Sequence, residues 1–218
     1  MDTSDFKYIW LGQCVCQYQV PLDVFQMINA IYEKNFVNLP IASKQLVGKI
    51  QNEHSLFYQG KNTSKMHRHN LLPEHVLGWL GAKFKQYLDY IHIKEYTMNL
   101  NSVWINQMKV NEYNPVHIHQ GTLFTGLSSV MFLKLPKDMG PEYARPDVPM
   151  NGKLQILGSS SGQFSKADYS PSISERNFYI FPYDMWHCVY PFTNPNETRI
   201  TLSANMDVKY DPVASRSV

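Results

Sequence analysis

Two histidines one residue apart are the strongest candidates for chemistry in this sequence. His117 and His119 lie in the stretch Asn-Pro-Val-His-Ile-His-Gln-Gly at 114–121. Side chains alternate along an extended strand, so both imidazoles point to the same face. Neutral imidazole is the commonest metal ligand in proteins. The pair predicts two corners of a metal site, and His187 from a distant strand completes a half-open site.

A second His-x-His pair competes with the first. His67 and His69 lie among lysine, serine, threonine and asparagine residues, within a polar run from Glu53 to Asn70. No apolar strand pattern surrounds them, and a loop does not hold metal ligands rigidly. We therefore interpret 53–70 as a solvated loop and assign no metal to it.

The last strand-like run has one polar face. Arg199, Thr201, Ser203 and Asn205 alternate with apolar residues, which predicts a two-faced strand. Its polar face lies in water or lines a ligand cavity, and the histidines favour the cavity. There an arginine offers a two-pronged fork to a carboxylate, and a hydroxyl two residues further on adds a hydrogen bond.

Composition narrows the class of protein. The 218 residues are 44% apolar and 13% aromatic, enough for the core of one domain. A net charge of +2 disfavours nucleic acid as a partner. Three cysteines fit a reducing compartment better than a disulfide framework. With no signal-peptide pattern and no run long enough to span a bilayer, we predict a cytoplasmic protein without a membrane partner, cellular or virus-encoded and acting in its host cell.

The hydrophobic period changes along the chain. An aromatic and β-branched run at 6–18 predicts one or two strands, and helical spacing predicts helices at 21–35, from Ser43 to Ile50, and at 73–92. After residue 94 the period becomes two, which predicts strands at 102–110, 115–119, 127–135, 153–157, 177–181, 188–192 and 199–206. A proline-rich segment at 136–176 covers a site or lies on the surface.

These elements predict a mainly β fold with peripheral helices (α+β), an antiparallel sandwich or jelly roll. We expect one domain over 1–218. It comprises a largely helical support region at 1–99, a jelly-roll core at 100–207 and a C-terminal tail at 208–218.

Six blocks of the chain resemble one enzyme family. They are Trp-Ile-Asn at 104–106, the 114–121 stretch, Leu-Ser-Ser-Val-Met-Phe-Leu-Lys-Leu-Pro at 127–136, Phe-Pro-x-x-x-x-His at 181–187, Pro-Phe at 191–192 and Arg-Ile-Thr-Leu-Ser at 199–203. Their types and order resemble the Fe(II)/2-oxoglutarate-dependent oxygenases. The branch is common in marine phages and bacteria and distantly similar to prolyl hydroxylases. The resemblance covers about residues 100–207.

The resemblance implies a double-stranded β-helix, a jelly roll that holds iron near one mouth. It implies His187 as the distal metal ligand and Arg199 as the partner of the far carboxylate of 2-oxoglutarate, supported by Thr201 or Ser203. Asn106 is a candidate polar residue of the same cavity.

The proximal end of the site departs from the family pattern, which is His-x-Asp or His-x-Glu. Here His119 stands where the carboxylate belongs. Three interpretations stay open. The metal binds His117, His119 and His187; or one proximal histidine binds while the other lies behind it; or the site does not catalyse.

The resemblance implies an oxygenase that uses Fe(II), 2-oxoglutarate and O2 and hydroxylates a C–H bond, releasing succinate and CO2. The primary substrate, a small molecule or a protein side chain, is not readable from the sequence. One alternative is a cupin-like three-histidine metalloenzyme without 2-oxoglutarate, which Arg199 disfavours because such a site needs no carboxylate fork. The other is a non-catalytic jelly-roll binding or virion-associated protein.

Overall fold

The computed structural model describes residues 12–42, 46–60, 67–143, 146–159, 162–163 and 165–211. Within these segments the α-helices are α1 (Leu22–Asn35) and α2 (Glu74–Tyr90), and a short 3-10 helix at Phe36–Asn38 follows α1. The strands are β1 (Cys16–Gln19), β2 (Asn52–Tyr58), β3 (His69–Asn70), β4 (Tyr96–Met108), β5 (Asn114–His117), β6 (Gly126–Lys134), β7 (Leu154–Leu157), β8 (Asp168–Tyr169), β9 (Asn177–Pro182), β10 (Trp186–Val189) and β11 (Arg199–Tyr210).

The strands form two antiparallel sheets. The major sheet has seven strands in the order β1-β9-β6-β11-β4-β2-β3, and the minor sheet has four in the order β5-β10-β7-β8. All strand pairs in both sheets are antiparallel. The predicted mainly β fold with peripheral helices is confirmed.

Strand β11 separates two hydrophobic cores. Its even-numbered residues, including Leu202 and Ala204, pack with α1 and α2 on the outer face of the major sheet. Its odd-numbered residues face the minor sheet, where a second core contains Phe132 and Phe181. Because a shift of one residue exchanges the two faces of a strand, this alternation fixes the register of β11.

The two helices bury the stripes that their sequences predict. In α2, residues Val76, Leu80, Phe84 and Leu88 recur every four positions and are buried against the major sheet. The helix ends where His92 takes a left-handed conformation with φ of 59°. None of the helices in the described segments is long and apolar enough to cross a membrane.

The sequence-based prediction of a loop at 53–70 is wrong in its first part. Residues 52–58 form β2, which pairs with β4, and positions 53–57 are all buried. The strand is polar because Glu53 and Ser55 share the inner face of the major sheet with Asn106 and Trp104, opposite which they pair. In a single sequence, a buried strand with polar residues has the same pattern as a solvent-exposed loop.

The helix predicted from Ser43 to Ile50 is not found at residues 46–50, and residues 43–45 lie outside the described residues. Positions 6–11 of the first predicted strand run also lie outside them. His69 belongs to β3, and its Nε2 lies 3.0 Å from the Ser55 hydroxyl.

The packing of α2 on the major sheet can be tested at Phe84. Its side chain is fully buried, and its ring lies edge-on to Phe178, with 6.3 Å between centroids. We expect Phe84→Ala to lower the free energy of unfolding by about 3–5 kcal/mol, because the cavity cannot close fully. Urea unfolding measures the loss. Lys85→Ala, at an exposed ion pair on the same helix, should cost far less, because surface ion pairs contribute little to stability. Equal losses would contradict this packing.

Candidate metal centre

Antiparallel pairing of β5 with β10 brings two histidines together. His187 of β10 lies directly opposite His117 of β5 in this ladder, and their ring centroids are 4.3 Å apart. His187 is 3% exposed, and its ring packs edge-on against Phe181 of the neighbouring sheet. The pairing of β5 with β10 therefore brings together two histidines that are 70 residues apart in the sequence.

Backbone carbonyls fix the tautomer of both histidines. The Nδ1 of His117 lies 2.7 Å from the Pro115 oxygen, and the Nδ1 of His187 lies 3.0 Å from the Met185 oxygen. A carbonyl oxygen only accepts, so Nδ1 carries the proton and donates it in each case. The lone pair of each ring is then on Nε2, the arrangement usual for metal-ligating histidine.

The third histidine follows the end of β5. His119 lies in a loop, and its Nε2 faces the Nε2 of His187 at 3.0 Å, with the two rings nearly parallel. Metal–nitrogen bonds of about 2.1 Å place two adjacent ligands of an octahedral ion about 3.0 Å apart. Potential ligand atoms of all three histidines lie within 4.8 Å of one another. The donor set fits a metal ion.

Burial keeps this cluster neutral. Desolvation, followed by the neighbouring His117, lowers the pKa of His187 to about 3. Burial and then the charges of its two partners hold the pKa of His119 well below its ordinary value, and burial also lowers the pKa of His117. Since only neutral imidazole ligates a metal, the environment favours the ligating form.

No carboxylate joins the three histidines anywhere in the described segments. A buried acid, Glu53, lies on the same inner face, beside Asn106 in the strand register. Its burial, and then Glu112, raise the pKa of Glu53 to about 8. This group is therefore protonated at neutral pH and supplies no anionic ligand. The centre contains the His-x-His of the sequence without the carboxylate of the usual family pattern.

Arg199 shares a cavity with the histidines. The cavity has a volume of about 260 Å³, and its walls include His117, His119, His187 and Arg199. The arginine is 2% exposed, and its guanidinium carbon lies 5.1 Å from the centre of the Phe132 ring. Its Nε and Nη2 have no hydrogen-bond partner. Among the described residues, no carboxylate forms an ion pair with it.

The other residues predicted to bind a co-substrate line the same cavity. Thr201, Ser203 and Asn106 all contribute to its wall. The Asn106 amide is oriented by two contacts: Trp104 Nε1 donates to its oxygen at 3.0 Å, and its nitrogen donates to the Ser203 hydroxyl at 3.3 Å. That leaves the Ser203 proton free to be donated into the cavity.

A larger groove of about 510 Å³ adjoins this cavity. Leu46, Trp104, Gln120 and Asn205 line both spaces. The remaining walls of the groove come from Ala42, Gly60, β2, β4 and the loop after His119. Among the described residues that line it, none carries a formal charge.

Sequence reasoning missed one buried residue near this centre. Asp207 continues the odd-numbered face of β11 by one position beyond Asn205 and is 3% exposed. The alternation of polar and apolar residues could have identified Asp207, because it continues one residue beyond the predicted strand at 199–206.

The two antiparallel sheets and the three clustered histidines are typical of one class: jelly-roll proteins with a candidate histidine metal site. Residues 102–205 match the family model described as 2OG-Fe(II) oxygenase. This match spans just under half of the chain, and it supports a 2OG-dependent oxygenase that uses Fe(II), 2-oxoglutarate and O2. The predicted family, enzyme class and cofactors are confirmed.

Solved structures support the fold. An oxidoreductase of the 2OG-Fe(II) oxygenase family from Burkholderia pseudomallei is 13% identical, with a TM-score of 0.56, over 88% of this chain and 84% of its own. A Pseudomonas putida prolyl-4-hydroxylase is 13% identical, with a TM-score of 0.52, over 89% and 92%.

A prolyl hydroxylase from Trichoplax adhaerens, in complex with a peptide fragment of hypoxia inducible factor, is 10% identical, with a TM-score of 0.52, over 94% and 86%. At such identities the likeness concerns the fold alone, and it confirms the predicted jelly roll. None of the curated proteins is a detectable sequence relative of the chain.

The unpaired guanidinium can be tested without any ligand. Burial lowers the pKa of Arg199 to about 10, because the folded protein disfavours the charge. We expect Arg199→Met to raise the free energy of unfolding of the metal-free protein by roughly 1–3 kcal/mol. Urea unfolding measures the change. Lys209→Met, an exposed position on the same strand, should stay within about 0.5 kcal/mol of the wild type. A destabilised Arg199→Met variant would contradict the unpaired state.

Proposed function

We propose that this oxygenase is a hydroxylase whose Fe(II) is held by His117, His119 and His187, with Arg199 binding the far carboxylate of 2-oxoglutarate. The observation that carries the proposal is the buried, unpaired guanidinium in the histidine cavity. A buried charge without a partner is costly. A dicarboxylate with one end at the metal and the other at the arginine removes that cost.

Each polar group of the cavity has a distinct task in this proposal. Arg199 binds the carboxylate through its planar fork. Ser203 accepts from Asn106 and donates its own proton to a carboxylate oxygen. Thr201 lies between Arg199 and Ser203 on the polar face of β11 and offers a second hydroxyl. The carbonyls of Pro115 and Met185 hold two ligand rings in the metal-binding tautomer.

Three neutral ligands change the charge of the centre. The usual pattern of two histidines and one carboxylate removes one positive charge from the metal. His119 removes none, so the metal keeps one more unit of positive charge, which favours anionic 2-oxoglutarate. When bound, Fe(II) and 2-oxoglutarate would supply the oxidising chemistry with O2: one oxygen atom enters succinate as CO2 leaves, and the other forms the hydroxyl group of the product.

The primary substrate enters through the groove beside the metal cavity. Trp104 and Gln120 line both spaces, so a group in the groove lies next to the histidines. Phe124 stands 85% exposed at the groove, where it can contact the surface of a larger molecule. We place the C–H bond of a peptidyl side chain here, with an uncharged small molecule as the alternative. The peptide bound by the Trichoplax prolyl hydroxylase is a precedent within the same fold.

Anaerobic titration with Fe(II) and 2-oxoglutarate tests this proposal. We expect the weak visible metal-to-ligand band of a chelated 2-oxoglutarate. In Arg199→Met the affinity for 2-oxoglutarate should fall roughly 10–100-fold while Fe(II) still binds, because one charge-assisted fork is lost. Lys209→Met is the matched control on β11 and should bind as the wild type does.

Two results would contradict the proposal. Bound iron without the band would favour the cupin-like alternative, in which 2-oxoglutarate has no part. An unchanged affinity in Arg199→Met would place the carboxylate elsewhere. Because Arg199→Met is expected to be the more stable protein, its loss of binding cannot be ascribed to unfolding.

A further inference from the structure

His119 is held differently from the other two histidines. The rings of His117 and His187 are each fixed by a hydrogen bond from Nδ1 to a backbone carbonyl. The only hydrogen bond to the His119 ring in the described segments is the contact with His187. His119 also lies beyond the last residue of β5. Its position therefore depends on the backbone of the 118–125 loop, together with the packing of its ring against Trp104 and the other two histidines.

The far end of the 118–125 loop bonds β11 through Thr125 and Val208, and two further hydrogen bonds anchor the part nearer His119. The His119 amide donates to the Tyr183 carbonyl at 2.9 Å. Three residues later, the Thr122 amide donates to the Asp207 carboxylate at 3.0 Å. These bonds join the loop to the β9–β10 turn and to β11.

Asp207 accepts most of the hydrogen bonds in this anchor. Besides the Thr122 amide, its carboxylate accepts from Asn101 Nδ2 at 3.2 Å and from the Tyr183 hydroxyl at 3.2 Å. Asn101 also donates to the Thr122 hydroxyl at 3.0 Å. Tyr183 therefore contacts both anchors: its carbonyl accepts from His119, and its hydroxyl donates to Asp207. Among the described residues, no cation forms an ion pair with this buried carboxylate.

The loop passes close to the carboxylate. A Cβ added at Gly121 would collide with the Asp207 side chain. Glycine therefore permits the close approach that lets the Thr122 amide reach the buried acid. Gly121 is two residues from His119, so the close contact with Asp207 and the candidate ligand lie in the same short loop.

We propose that Asp207 is a positioning residue of the metal centre: by binding the 118–125 loop, it places His119 where the third ligand stands. The role rests on the proposed three-histidine centre. Asp207 touches neither metal nor co-substrate. It replaces, for His119, the Nδ1 hydrogen bond that orients each of the other two rings.

Anaerobic Co(II) titration without 2-oxoglutarate tests this role, with the metal's visible spectrum as readout. Asp207→Ala removes the acceptor and should weaken Co(II) binding about 10–100-fold, as changes behind metal ligands do. Asp207→Asn should restore most of the affinity, since its carbonyl can accept from Thr122 and its amide can donate to Tyr183. Asp184→Ala, at an exposed acid beside Tyr183, is the control and should bind normally.

A double variant separates positioning from general damage. On a His119→Ala background, Asp207→Ala should weaken Co(II) binding by less than about threefold, because its target is already absent. In the metal-free protein, hydrogen exchange at the Thr122 amide should accelerate in Asp207→Ala and not in Asp184→Ala. If Asp207→Ala does not fold, Tyr183→Phe removes one of the three donors and should give a smaller, equally non-additive loss.

The outcomes distinguish the two proposals. Wild-type affinity in Asp207→Ala beside a weakened His119→Ala would overturn the role of Asp207 and leave the three-histidine centre standing. A full further loss in the double variant would also overturn it. Wild-type affinity in His119→Ala would instead overturn the ligand set, and the positioning role with it.

Discussion

Burial of a polar strand face is the constraint on which this structure depends. The odd-numbered residues of β11 face the interior between the two sheets, while its even-numbered residues pack against the helices. Buried polar groups need partners, because an unpaired one costs free energy. At one end of the face, Asp207 finds three donors within the protein. At the other end, Nε and Nη2 of Arg199 have no hydrogen-bond partner among the described residues. In the proposed function, a carboxylate of 2-oxoglutarate becomes that partner.

This asymmetry links stability to function. The apolar face of β11 fixes its register, so the protein cannot turn Arg199 into water without exposing Leu202 and Ala204. The cost of the buried charge is offset by the helices that cover the outer face. A co-substrate that carries a carboxylate then binds a site already organised for it, as expected where a fold retains strain for activity.

Neutral ligands give the centre its particular electrostatics. Burial depresses the pKa of all three histidines, which favours metal binding at neutral pH. The proposed three-histidine centre would combine the two positive charges of Fe(II) with that of Arg199. The two negative charges of 2-oxoglutarate would offset most of this total. The departure at His119 is therefore compatible with the chemistry of the family.

Much of this arrangement follows from sequence because alternation and local spacing are direct signals. Most strands after residue 102 and the polar face of β11 were predictable from a period of two, although β10 lies at Trp186–Val189 and not at 188–192, and β8 was not predicted. β2 was not, because its inward residues Glu53 and Ser55 face a polar interior and read as a loop.

The loop position of His119 also escaped prediction. The spacing places His117 and His119 on one strand face, whereas β5 ends at His117. The anchor at Asp207 depends on a contact between residues 85 positions apart. Such a contact leaves no trace in one sequence.

X-ray absorption spectroscopy of the anaerobic Fe(II)-loaded protein tests the three-histidine centre most directly. The multiple-scattering signal of imidazole counts the histidines bound to iron. The account predicts three in the wild type and two in His119→Ala. Two in the wild type, unchanged in His119→Ala, would contradict it.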